Sequence, residues 1–104
     1  MRHVVIFARK PMLGCVKTRL AKDIGPVEAL RFYRSNLFAM ARRLSGRHAW
    51  TTWIAVTPDS TNNDADAWPQ NIRRLPQGSG DIGIRMARCM AGFGRSPVII
   101  VGSD

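Results

Sequence analysis

The pattern of hydropathy along the 104 residues predicts an α/β fold built on a mostly parallel sheet. Three observations lead there. Apolar runs rich in β-branched residues recur at Val4–Ala8, Trp50–Thr57 and Pro97–Val101, as in strands covered on both faces. Two segments between them carry apolar residues at helical steps of three and four. The resulting order, strand, helix, strand, weak strand, helix, strand, is that of parallel strands joined by right-handed crossovers.

Each element has a local cause. Val4–Ala8 is a continuous apolar run, and Arg9–Ala21 breaks it with Pro11, Gly14 and four cations, so that segment begins as a loop. Gly25-Pro26 opens a helix, because proline at the first helical position gives up an N–H that has no intrahelical partner there. Val27, Leu30, Tyr33, Leu37, Met40, Ala41 and Leu44 then form one stripe, and Gly46 supplies a C-terminal stop. Trp50–Thr57 reads as the second strand and Pro58–Pro69 as a polar surface loop. Ile72–Leu75 is a short strand. Gln77–Gly80 is a tight glycine loop, and Asp81 caps a second helix with Ile82, Met86, Cys89, Met90 and Phe93 as its buried face. Val98–Val101 is uniformly apolar and reads as a central strand. Two helices do not cover such a sheet on both faces, so the expectation is a fragment of a longer domain, or a homo-oligomer that covers the exposed face.

Composition narrows the function. The length allows one domain, residues 1–104. Sixteen Lys and Arg against seven Asp and Glu leave a net charge of +9, which points to an anionic partner. Two cysteines, Cys15 and Cys89, build no disulfide framework, and no Cys/His spacing suits zinc. The reading is a cytoplasmic protein. The longest apolar run is far below the roughly 20 residues of a membrane span, and the N-terminus lacks a signal-peptide pattern.

Parallel sheets bind ligands at the carboxyl ends of their strands, where three polar loops are expected. The first, Arg9–Arg19, holds Arg9, Lys10, Lys17 and Arg19 around Gly14. It suits a di- or triphosphate, since arginine forks onto phosphate oxygens and lysine adds a compact charge; the alternative is a solvated basic loop. It is not a P-loop, as glycine does not precede Lys17. The second loop contains a literal G-x-G-x-x-G at Gly78, Gly80 and Gly83, with Asp104 about 20 residues on. The strand before it carries Arg73-Arg74, and Asp81 would set a carboxylate where pyrophosphate should dock, so a capped helix start is the alternative to a dinucleotide site. The third loop, Gly102-Ser103-Asp104, offers a carboxylate that could hold Mg²⁺; the alternative is an isolated aspartate with no role. His3 and His48 read as structural or solvated, Cys15 as a filler, and the three tryptophans as packing residues.

Phe7-Ala8-Arg9-Lys10-Pro11, Gly14-Cys15-Val16-Lys17-Thr18-Arg19-Leu20, the string from Gln77 to Met86, and Val101-Gly102-Ser103-Asp104 together resemble a bacterial glycosyltransferase-like family of the nucleotide-diphospho-sugar transferase superfamily. Relatives include molybdenum-cofactor and phospholactate guanylyltransferases. The resemblance spans the chain in order and corresponds to an N-terminal half. It implies a three-layer αβα sandwich, Rossmann-like and of GT-A type, binding a nucleoside di- or triphosphate or a nucleotide-sugar with Mg²⁺ (or Mn²⁺). It implies phosphate contacts from Lys17 and Arg19, with Arg9, Lys10, Gly14 and Thr18 in the same loop. Gln77, Gly78, Asp81 and Arg85 would lie near the nucleotide, and Asp104 would hold the metal. Family members have an acidic residue where this chain has Ile84, and they continue into an acceptor-side half. No catalytic residue is assigned; Asp81 is the carboxylate considered for a general base.

Three functions follow as expectations. The first is a glycosyltransferase or nucleotidyltransferase that works by electrostatic stabilisation of a leaving phosphate group. The second is a nucleic-acid-binding module using Arg31, Arg34, Arg42, Arg43 and Arg47, against which stands a plainly solvated helix face. The third is an inactive truncated remnant.

Overall fold

The computed structural model describes residues 1–103. The chain runs through β1 (His3–Arg9), α1 (Thr18–Ile24), α2 (Pro26–Ser45), β2 (Thr51–Thr57), two 3₁₀ turns at Asp59–Asn63 and Ala65–Ala67, β3 (Arg73–Pro76), α3 (Ile82–Gly92) and β4 (Val98–Gly102). The four strands form one sheet in the order β3-β2-β1-β4, every pair parallel. His3 pairs with Thr51 on one side and Val98 on the other, and Arg9 with Thr57. The carboxyl ends of β1, β2 and β4 therefore share one edge.

Strand periodicity divides the core into two layers. On one face Ile6, Ala8, Ile54 and Val56 meet Tyr33, Leu37 and Ala41 of α2, together with Val16 and Trp68. On the other, Val5, Phe7 and Ala55 meet Cys89 of α3, flanked by Trp53, Leu75, Phe93, Val98 and Ile100. The result is the αβα arrangement. In α2 the buried residues Ala29, Tyr33, Leu37 and Ala41 fall at steps of four, the ridge a helix lays on a sheet. Pro26 stands at its start and Gly25 takes φ 91°, a backbone value suited to glycine.

Four readings change in three dimensions. The basic loop ends sooner than its composition suggests: α1 begins at Thr18. Pro58–Pro69 is not a free surface loop, because Trp68 is 1% exposed and its indole N–H donates to the Thr61 carbonyl at 2.9 Å. β4 is an edge strand instead of a central one, and Ile99 stands 63% exposed. The apolar stripe of α3 is only partly covered: Cys89 is 6% exposed, whereas Ile82, Met86 and Met90 stay largely open. The reason is strand order. Cys89 and Phe93 pack over β1 and β2, while Ile82 and Met86 face the ends of β1 and β4, at the sheet's edge.

His3, at the start of β1, is buried. Its Nδ1 accepts the Trp53 indole N–H at 3.1 Å and its ring lies 4.3 Å from that of Phe93. It is a packing residue. Among the described residues no helix is long and apolar enough to cross a membrane.

Candidate functional site

Two hollows meet at the carboxyl edge of the sheet, and Arg9 at the end of β1 lines both. The first, about 410 Å³, lies between the ends of β1, β2 and β4 and the start of α3. Thr57, Gln77, Arg85 and Ser103 give it polar groups, and Ile82 and Met86 an apolar wall. The second, about 930 Å³ and open to solvent, is lined by Lys17, Thr18 and Arg19 together with Cys15 and Phe32. Arg9, Lys17, Thr18 and Arg19 are thus brought together by the β1–α1 connection.

That connection is held at both ends. Tyr33, 1% exposed on α2, accepts the Arg9 N–H at 2.9 Å and donates to the Arg9 carbonyl at 2.8 Å. Its hydroxyl also lies 3.1 Å from Ser103 Oγ, which donates to the Phe7 carbonyl at 2.9 Å. The end of β1 is thereby tied to the end of β4. Val16 is buried as the loop's apolar anchor. Lys17 beside it has φ 50° and ψ 47°, a left-handed backbone that costs a non-glycine residue about 1 kcal/mol. Such outliers gather where side-chain direction matters. The Lys17 ammonium lies 5.8 Å from the centre of the Phe32 ring. Gly14 takes φ 79° with open space where a side chain would stand, within a turn closed by the Cys15 N–H on the Met12 carbonyl.

Lys10 leaves the set. Its ammonium sits 2.6 Å from Asp64 Oδ2, on the turn segment after β2. Burial of that pair is partial, so it fixes position more than it stabilises.

The polar groups of the glycine loop bond within the protein. Gly78 donates its N–H to Asp59 Oδ1 at 3.0 Å. Asp81 Oδ1 accepts the Ile84 N–H at 2.9 Å, the N-cap its sequence position suggests. The loop's carbonyls go to arginines of α3: Arg88 donates to those of Gln77 and Ser79, and Arg85 Nε to that of Gly80 at 2.8 Å. Gln77 is only 5% exposed. Its Nε2 donates to the Ala55 carbonyl at 2.9 Å, and its Oε1 accepts from Arg85 Nη1 at 3.2 Å. Gln77 therefore braces β2 and aims the Arg85 guanidinium, which Thr57 Oγ1 meets at 3.4 Å on the cavity's rim.

Asp104, the expected metal ligand, lies outside the described residues. Among the described residues no three His, Cys, Asp or Glu side chains gather as a metal would require. Asp59, Asp64 and Asp81 each hold a protein donor, so the described residues do not fit an Mg²⁺ centre of their own. Sequence reading missed Tyr33, Thr57 and Ser103 as site residues. The hydroxyl of Tyr33 in an otherwise apolar stripe was the available signal.

A family model described as "Uncharacterized protein conserved in bacteria (DUF2064)" matches residues 40–104. No curated protein matches the chain. A solved structure of a "putative nucleotide-diphospho-sugar transferase" from Desulfovibrio desulfuricans G20 is 27% identical and superposes with a TM-score of 0.86. The likeness covers 100% of this chain and 48% of that one. The chain spans about half the length of that relative, with the Rossmann-like αβα layering of the nucleotide-diphospho-sugar transferase superfamily.

Proposed function

The chain belongs to the DUF2064 family, and from the geometry of its site and its likeness to a solved nucleotide-diphospho-sugar transferase we propose that it forms the donor-binding part of a nucleotide-sugar-dependent glycosyltransferase or a nucleotidyltransferase. The observation that carries the reading is the joining of two hollows through Arg9 at the carboxyl edge of a parallel sheet. The phosphates of a nucleoside di- or triphosphate run along Arg9, Lys17, Thr18 and Arg19. The base and ribose occupy the smaller cavity, with Ile82 and Met86 against the flat ring and Arg85 and Thr57 as polar contacts. The solved transferase relative supports the assignment at the level of the superfamily.

Chemically, these residues supply charge at fixed positions. As the bond to the leaving pyrophosphate or nucleoside diphosphate breaks, negative charge grows on its oxygens. Cations already in place lower that barrier without reorganising. The Arg9 backbone is held by Tyr33 and the Arg85 guanidinium by Gln77, so part of the ordering is complete before the ligand arrives. A divalent cation, Mg²⁺ or Mn²⁺, on Asp104 belongs to the same proposal.

Calorimetric titration with UTP and GTP, with and without Mg²⁺, tests it. Each of these solvent-accessible cations contributes about 1 kcal/mol to phosphate binding, below the usual range for charged hydrogen bonds because water competes. Lys17→Ala with Arg19→Ala then weakens binding about 30-fold, at 1.4 kcal/mol per factor of ten. Equal affinity for wild type and double variant removes the phosphate-loop assignment.

A further inference from the structure

The helix α2 carries four arginines, Arg31, Arg34, Arg42 and Arg43, against one carboxylate, Glu28. In three dimensions the arginines considered for nucleic acid divide. Arg31, Arg34 and Arg42 line a recess of about 310 Å³ together with Ser35 and Phe38. Arg43 turns to another side of α2, where it lines a recess with Gly102 and Ser103 at the end of β4. Arg47 lies beyond the helix. The two recesses share no residue, and no residue of the first lines either donor hollow.

The first recess has a defined shape. Its lining falls at steps of three and four along α2, so one side of the helix presents it, and its arginines and Ser35 are exposed. The Arg34 guanidinium sits over the Phe38 ring, 4.4 Å from its centre, and Phe38 is packed against the core. That seat orients the guanidinium plane and leaves its edge to donate. Arg31 holds Glu28 in a pair whose side chains are 71% and 54% exposed, a weak contact that an anionic ligand can replace. From Arg31 to Arg42 the helix rises about 16 Å. A stacked strand carries a phosphate about every 3.4 Å of its axis, so the three arginines span about four or five phosphates.

We propose that this face of α2 binds the sugar-phosphate backbone of a single-stranded nucleic acid without regard to sequence. Guanidinium forks suit phosphodiester oxygens. The outer face of the Arg34 plane can stack an unpaired base, which a duplex does not offer. The one aromatic of the recess lies under Arg34, so the face lacks the protruding apolar groups with which a helix enters a bilayer surface. This inference is independent of the transferase reading.

Fluorescence anisotropy of short labelled oligodeoxythymidylate and oligouridylate tests it, with KCl varied and Mg²⁺ absent. Both bind, and affinity falls with salt at a log–log slope of about −2, from about 0.7 for each of three phosphates. Arg34→Gln with Arg42→Gln weakens binding about tenfold at low salt and cuts the slope to about −0.7. Arg73→Gln with Arg95→Gln removes the same charge from the other side of the sheet, where Arg73 sits over Trp53 and Arg95 follows α3. It changes affinity by less than about twofold, since it removes no phosphate contact. Unchanged circular dichroism and melting temperature confirm that each variant is folded. Failure of both oligonucleotides to bind at low salt overturns the proposal. So does an equal loss in the two double variants, which makes net charge the whole cause. Loss in Lys17→Ala with Arg19→Ala but not in the α2 variant moves the strand to the β1–α1 loop and overturns it as well. Binding to phosphatidylglycerol vesicles without binding to oligonucleotide overturns it in favour of a membrane surface. A wild type that binds oligonucleotide through Arg34 and Arg42 but no UTP sinks the transferase reading and leaves this surface standing.

Discussion

Replacing Tyr33 by Phe removes one oxygen from the interior and tests whether the phosphate loop is anchored as described. The ring stays, so packing against Leu37 and Ile6 is preserved, and the loss falls on the hydroxyl. Its partners among the described residues include the Arg9 N–H at 2.9 Å, the Arg9 carbonyl at 2.8 Å and Ser103 Oγ at 3.1 Å. An unpaired buried polar group costs about 1–3 kcal/mol. Two backbone groups lose a partner, but Arg9 itself is exposed and water recovers part of the loss. Ser103 keeps its bond to the Phe7 carbonyl. The net is about 2 kcal/mol, which for a domain of this size lowers the melting temperature by about 10 °C. Urea unfolding measures the stability, and hydrogen exchange at the Arg9 amide measures the anchoring. A change in unfolding free energy below about 0.5 kcal/mol, with Arg9 exchanging as in the wild type, refutes the argument that this hydroxyl holds the end of β1.

Two further outcomes follow from burial. Trp68→Ala loses a side chain that is 1% exposed and its bond to the Thr61 carbonyl; it destabilises the chain by about 3–5 kcal/mol, read by chemical denaturation, and a loss under about 1 kcal/mol would show that the segment before β3 is not anchored there. Cys15 is exposed while burial of Cys89 pushes its thiol up, so a thiol reagent modifies Cys15 first and Cys89 only on opening. Because the raised group ionises earlier in the unfolded chain, the stability its burial contributes is whole below the ordinary thiol value of about 8.5 and declines as pH rises beyond it. Wild type therefore loses more stability between about pH 7 and pH 10 than Cys89→Val does, and parallel pH curves count against that burial.

Legibility differed from element to element. The two edges of α2 were readable because their causes lie within a few residues: proline at the first position and apolar residues at steps of three and four. The Asp81 cap was readable for the same reason, its acceptor and the Ile84 N–H being three residues apart. The β1–α1 cations formed a group in sequence and remain one in space, with Lys10 the exception. Nothing local foretold that Lys10 would turn to Asp64, 54 residues away. Gln77 looked like a residue of an exposed glycine loop, yet its amide is buried on the carbonyls of β1 and β2. The stripe of α3 was read correctly as apolar and wrongly as covered, since the residues themselves do not say how far the sheet beneath extends.

The amino-acid sequence alone determined the alternation of strands and helices, the two-faced burial of β1, the excess positive charge and the clustering of that charge after the first strand. These depend on side-chain period and on bonds that close within one turn. Tertiary structure alone decided the strand order that leaves β4 at the edge, the Tyr33 hydroxyl that joins Arg9 to Ser103, and the separation of the cations into one paired and three facing the hollow. Those outcomes join groups as far apart in sequence as His3 and Val98, whose meeting depends on how the whole chain closes its core, and no short stretch of residues carries that information.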